Sequence, residues 1–210
     1  VYLFIFGIIK NKSNYFFLIP FLIGVAFFTK PAPTVYIFLF LSIILLLYIL
    51  TFKKYQIFQN LLYSSLIFFF LIFLFFYFQE IPIELILEQY FYFPITIADQ
   101  RFENFNLSFD NIIFNFKFIH FFFIPLIVIN FKRIFYFRKY LTHDDFFIFL
   151  IVGGFSLCLM FHQINTKNQL FILFLIPVIC ILLHSQLMKT KFKNKKILII
   201  IFTIICVLLA

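Results

Sequence analysis

Three cations stand apart from the other charges of this chain: Lys30 in "GVAFFTKPAP", Arg101 in "ADQRFENFN" and Lys167 in "FHQINTKNQLFILFLIP". A guanidinium fork grips phosphate oxygens at two points, whereas an ammonium holds phosphate as a point charge. Arg101 can therefore hold a lipid phosphate, or simply pair with Asp99 or Glu103 on either side of it. Lys167, with Asn165 and its other amide neighbours, can bind a phosphate or sugar hydroxyls, or form an ordinary turn. Glu88 and Gln89, in "IPIELILEQYFYFP", add a carboxylate and an amide as possible substrate contacts. The four histidines, His120, His143, His162 and His184, form no His-x-x-x-His or Glu-His cluster, so neither a divalent metal nor another cofactor is implied. Cys158, Cys180 and Cys206 all lie in apolar runs without ligand spacing and read as small buried hydrophobes.

What must position these groups is a membrane protein. The chain is 65% hydrophobic and only 12% charged, about half the charged fraction of a soluble domain. Its 41 Phe reflect an AT-rich codon bias rather than a ligand box. Eight apolar segments follow one another, at 1–9, 14–29, 33–51, 61–78, 112–131, 146–162, 169–187 and 197–210, the first and last cut short. Such runs suit the ~20 residues of a spanning helix better than the alternating strands of a barrel. The expected fold is all-α: a polytopic transmembrane bundle of about eight helices, with 1–210 forming a single transmembrane domain. Because the sequence opens at Val1, without Met and inside an apolar run, it reads as the C-terminal part of a longer chain.

The links between segments separate by charge. Odd-numbered links hold 13 of the 17 Lys and Arg, among them Lys10, Lys12, Lys53, Lys54, Lys132, Arg133 and the run Lys189 to Lys196. Basic loops stay on the cytoplasmic side, and beside anionic lipid they account for the net charge of +9 without nucleic acid. The even-numbered links, carrying Lys30, Arg101, Lys117 and Lys167, then face outward. The long link 79–111 holds six of the eight acids. Within it, Ile83, Ile86, Leu87, Tyr90 and Phe91 recur at helical spacing while Glu84 and Glu88 take another face. That pattern predicts a short amphipathic helix in the membrane interface, ended by Pro94.

On these three outer stretches the sequence resembles the multi-span glycosyltransferases that use polyprenyl-phosphate sugars, namely the protein O-mannosyltransferases and the aminoarabinose transferases acting on lipid A. "GVAFFTKPAP" is similar to a family span ending Gly-x-Ala-x-Leu-Thr-Lys-Gly, with Pro31 in place of the glycine. "EQYFYFPITIADQR" is similar to the family's outer amphipathic segment with its basic residue, and "NTKNQLFILFLIP" to a polar turn leading into a proline-bearing span. The order agrees over roughly residues 20 to 185.

The resemblance implies an enzyme that moves a sugar from a polyprenyl-phosphate donor to a lipid, glycan or protein acceptor on the extracytoplasmic face of a bacterial inner membrane. Lys30, Arg101 and Lys167 would hold the donor phosphate. The family's catalytic base is an acid in an early outer loop, expected upstream of Val1. The aminoarabinose transferases carry a histidine where this chain has Gln89, which puts any metal contact in doubt. A transporter or flippase of lipid-linked or small substrates would also have many spans. It would, however, show charges in mid-span and broken helices. A purely structural membrane subunit would need none of the outer cations.

Overall fold

The computed structural model describes residues 1–97, 107–166 and 172–209, and all regular structure among them is helical. Four helices are long and apolar enough to cross a membrane: Pro31–Phe52, Tyr55–Phe78, Lys117–Phe135 and Asp144–Thr166. Little of their apolar surface is covered by protein. Only 22% of the most apolar window of the first and 11% of that of the second is buried, and exposed side chains such as Phe69, Phe70 and Phe73 line the second. Apolar surface on this scale suggests a membrane protein. The other apolar segments also form helices, but each is shorter than a span, so the described residues show four span-length helices rather than eight.

The chain divides into two compact units, Val1–Phe105 and Asn106–Ala210. The first begins with α1 (Tyr2–Lys10), α2 (Asn14–Phe17), α3 (Ile19–Thr29), α4 (Pro31–Phe52) and α5 (Tyr55–Phe78). The segment 14–29, expected as one piece, is broken at Leu18 because Pro20 lacks an N–H and its ring crowds the carbonyl four residues back. Two side chains of α5 bond to main-chain oxygens at the two ends of α2: Asn60 Nδ2 donates to Ser13 O, just before the helix, at 3.1 Å and Ser64 Oγ to Phe17 O. Main-chain oxygens at such a break are satisfied by side-chain donors of this kind. This also explains why α5 starts six residues earlier than its apolar run: polar Gln56, Gln59 and Asn60 belong to the helix.

Between α3 and α4 the chain turns at Lys30. Pro31 excludes the α-helical region for the residue before it, and Lys30 is extended at φ −151°, ψ 89°. Pro31 itself suits the first position of α4, where a missing N–H costs nothing. With 22 residues, α4 spans about 33 Å, so Lys30 and the link at Lys53 and Lys54 stand a membrane thickness apart. Beyond α5 comes the expected amphipathic segment, as α6 (Ile83–Leu87) followed by a π-helical turn, Glu88–Tyr92. Pro94 does not end it: residues 93–97 remain helical. The π-turn bonds Phe93 N–H to Glu88 O, five residues back, a register that accommodates the proline's missing donor.

The second unit contains a π-helical turn, Asp110–Phe114, and then α7 (Lys117–Phe135), α8 (Phe137–Tyr140), α9 (Asp144–Thr166), α10 (Leu175–Met188) and α11 (Lys195–Leu209). Its core lies along α10, where Leu175, Ile176, Ile179 and Leu183 are fully buried among α7, α9 and α11. Pro177, the proline of the span expected at 169–187, sits in the first turn of α10, where a missing N–H is tolerated. Pro125 lies inside α7. The polar turn expected at 163–168 is helical through Thr166.

Each unit gathers its basic links at one end. In the first unit, Lys54 Nζ donates to Asn11 Oδ1 at 2.8 Å and to Tyr48 Oη at 2.7 Å, joining the link after α1 to the link after α4. In the second, Lys189 forms an ion pair with Asp145 at 2.7 Å, joining the start of α9 to the end of α10. Lys195 caps the same end of α10 by donating to the Met188 and Thr190 carbonyls. These joins agree with the alternation of charge read from the sequence.

Candidate functional site

The first unit carries a half-open apolar cavity of about 740 Å³ between α3, α4 and α5, within the size range of ligand-binding pockets. Its walls are hydrocarbon and aromatic, with Thr34, Ser42 and Ser65 the polar side chains along them. The lining residues of α4 run from Thr34 to Leu45, about 17 Å along the helix axis. The cavity thus reaches from the Lys30 end of the unit to about the middle of a bilayer core.

At that end two stretches singled out in the sequence come together. Phe27 and Phe28, closing α3, stack on the π-turn: Phe28 meets Tyr90 edge to face at 4.9 Å, and Phe27 lies 6.2 Å from Tyr90 and 6.0 Å from Phe91. Ile86 and Phe91 form part of the cavity wall. The amphipathic segment therefore does not present all its apolar residues to one surface. Ile86, Tyr90 and Phe91 turn toward α3 and the cavity, while Ile83 and Leu87 are exposed. Glu88 and Gln89, immediately before Tyr90, are exposed at the rim. Lys30, two residues beyond Phe28, is exposed as well, and its carbonyl accepts a 2.9 Å bond from Thr34 Oγ1 on the cavity wall.

A close approach shapes the cavity from the α3 side. Gly24 faces Phe68 so tightly that a β-carbon there would lie 2.1 Å from the ring's Cζ. Only glycine leaves room for that ring, which itself lines the cavity and meets Phe21 edge to face at 5.5 Å.

Of the other residues singled out, Asn165 belongs to the second unit and is buried in the last turn of α9 rather than in a turn between helices. Its Oδ1, and the Oε1 of buried Gln163, have no hydrogen-bond partner among the described residues. Arg101 and Lys167, with Asp99 and Glu103, lie outside the described residues. No group of three or more His, Cys, Asp or Glu side chains suited to a metal occurs among the described residues, and the three cysteines are free thiols.

Two features went unread in the sequence. The cavity leaves no periodic trace, because its walls are apolar residues like those facing lipid. The second unit holds a buried amide pair, Asn130 on α7 donating to Gln186 on α10, with Arg133 Nη1 bonding Asn130 Oδ1 at 3.2 Å. Both amides interrupt apolar runs, which was a usable signal. No family model, curated protein or solved structure matches the chain.

Proposed function

We propose that this chain is part of a polytopic membrane glycosyltransferase, with about eight crossings, that takes sugar from a polyprenyl-phosphate donor at the extracytoplasmic face of a bacterial inner membrane. The observation that carries the reading is the apolar cavity ending beneath the paired stretches 24–33 and 88–91. A long hydrocarbon tail fits walls that offer only three hydroxyls, and a hydrophilic cargo does not. The amphipathic segment and the turn at Lys30 then stand where the tail ends and the phosphate begins.

In such a transfer an acceptor oxygen attacks the anomeric carbon, and the bond from that carbon to the phosphate oxygen breaks. The bonding pair leaves with polyprenyl phosphate, whose negative charge grows as the bond opens, while a general base takes the acceptor's proton. Cations fixed at the membrane boundary stabilise that growing charge. Lys30 is one, held by a proline-enforced turn; Arg101, in the same unit, is the other in this reading. Glu88 and Gln89, exposed in the same unit, would contact donor or acceptor hydroxyls. Lys30 is compatible with its depth because an exposed ammonium at a helix junction can reach headgroups and water.

The test is transfer of labelled sugar from a polyprenyl-phosphate donor by membranes containing the full-length protein. Lys30→Gln should lower the rate about a hundredfold, the scale of losing one group that stabilises developing charge. Undiminished transfer by Lys30→Gln would remove that lysine from the donor site. Absence of transfer by the unaltered protein, together with donor-dependent movement of lipid-linked sugar across the membrane, would establish the flippase reading instead.

A further inference from the structure

We infer that the opposite end of the first unit carries a second, separate anion site: a basic pocket that holds the phosphate of an anionic lipid headgroup. A cavity of about 290 Å³ opens between the link after α1 and the link after α4, and Lys12, Lys53 and Lys54 all line it, with Asn11 and Ser13. Lys10 ends α1 beside it. No Asp or Glu occurs anywhere in residues 1–79, so this unit has no carboxylate in that stretch to neutralise these cations. The Lys54 ammonium is taken up by Asn11 and Tyr48; Lys12 and Lys53 form no ion pair among the described residues.

The helix dipoles do not balance the charge. The carboxyl ends of α1 and α4 point at this cavity and each contributes about half a negative charge, whereas four lysines supply about four positive ones. The backbone is built to hold the cations together. Asn11 and Lys53 both adopt the left-handed conformation, at φ 50° and 53°. Each ends its helix with a bond from the next residue's N–H to a carbonyl five residues back, Lys12 to Gly7 at 3.2 Å and Lys54 to Ile49 at 3.1 Å. Asparagine tolerates that conformation, but lysine does so at a conformational cost that glycine would avoid. A charged residue kept where glycine fits better argues that the charge serves a ligand. The pocket lies at the end of a span-length helix, among the links whose charge marks the cytoplasmic side, where anionic headgroups are concentrated. The inference does not rest on the glycosyltransferase reading.

The experiment measures thermal unfolding of the purified chain, by circular dichroism in a neutral detergent, with three probes: dihexanoylphosphatidylglycerol, dihexanoylphosphatidylcholine and inorganic phosphate. The anionic lipid should raise Tm in a saturable way and the zwitterionic lipid should not. Lys53→Gly relieves backbone cost and Lys12→Gln alters an exposed residue, so both variants should fold, with affinity for the anionic lipid reduced about tenfold for each lost charge-assisted contact. Equal stabilisation by inorganic phosphate, lost in the same variants, would identify dissolved phosphate as the source of the anion and overturn the headgroup assignment. Stabilisation that both lipids share, or that survives the double variant, would overturn the site itself.

Discussion

Replacing Gly24 by Ala should narrow the apolar cavity while leaving the protein folded. The new β-carbon would stand 2.1 Å from Phe68 Cζ, against the 3.4 Å or more of ordinary contact, so the ring must retreat by about 1.3 Å. The ring borders the cavity, and that is the open direction. Overpacking of this kind costs about 1–3 kcal/mol, offset by about 1 kcal/mol from exchanging glycine for alanine inside a helix. The net loss of stability is therefore about 0–2 kcal/mol. The ring would displace roughly two methylene equivalents of a bound tail, each worth about 0.8 kcal/mol, which weakens binding roughly tenfold to twentyfold. Farnesyl phosphate, a short and soluble polyprenyl phosphate, is a suitable probe for titration calorimetry on the purified full-length protein, with a melting curve as the check on folding. An unchanged Kd in a variant that melts normally would refute the assignment of this cavity to the donor's tail.

In the same full-length protein Arg101→Lys should weaken donor binding while Arg101→Ala comes close to abolishing transfer, because the first keeps the charge and loses only the two-point fork; equal rates for the two variants and the parent would dismiss Arg101 from the site. In a background lacking the three native cysteines, a cysteine at Gln79 should react with a membrane-impermeant maleimide from outside and one at Lys193 only from the cytoplasm, and the reverse pattern would invert the topology. Asn130→Ala should destabilise the second unit by about 1–2 kcal/mol, since it strands the Gln186 oxygen in a buried position. Replacing both Asn130 and Gln186 by leucine should cost less than the single change, which denaturant titration can resolve.

How much of this was legible beforehand depends on the kind of signal. Proline geometry was visible in "KPAP", and the turn at Lys30 follows from it directly. The equally plain Pro20 was overlooked because hydropathy runs unbroken from 14 to 29, and hydropathy does not register a missing N–H. Pro94 misled in the other direction, since a π-turn absorbs a proline that would end an α-helix. The helical spacing around Ile86, Tyr90 and Phe91 does correspond to helix, but a single apolar face does not follow from it: Tyr90 and Phe91 pack on Phe27 and Phe28 while Ile83 and Leu87 are exposed. Charge alternation anticipated which links share an end, as the Lys54–Asn11 and Lys189–Asp145 contacts show. Cavities and close approaches, such as Gly24 against Phe68, arise from three helices at once and have no expression in a single run of residues. Of the three cations expected at the donor phosphate, only Lys30 falls among the described residues.

The bonds from Asn60 and Ser64 carry a consequence for how this sequence can change. Both side chains grip main-chain oxygens at the two ends of α2, and a carbonyl is the same whatever side chain its residue bears. The anchorage therefore places almost no demand on the identity of residues 13–17 beyond fitting the space, while it depends on the hydrogen-bonding groups of α5 at 60 and 64. Mutational drift should be uneven across this contact, freer at Ser13 and Phe17, whose carbonyls are held, than at Asn60 and Ser64, which hold them. Saturation mutagenesis scored by expression level would reveal that asymmetry as tolerance at Ser13 and Phe17 beside intolerance at Ser64, whose zero exposure leaves a hydroxyl donor little room for replacement.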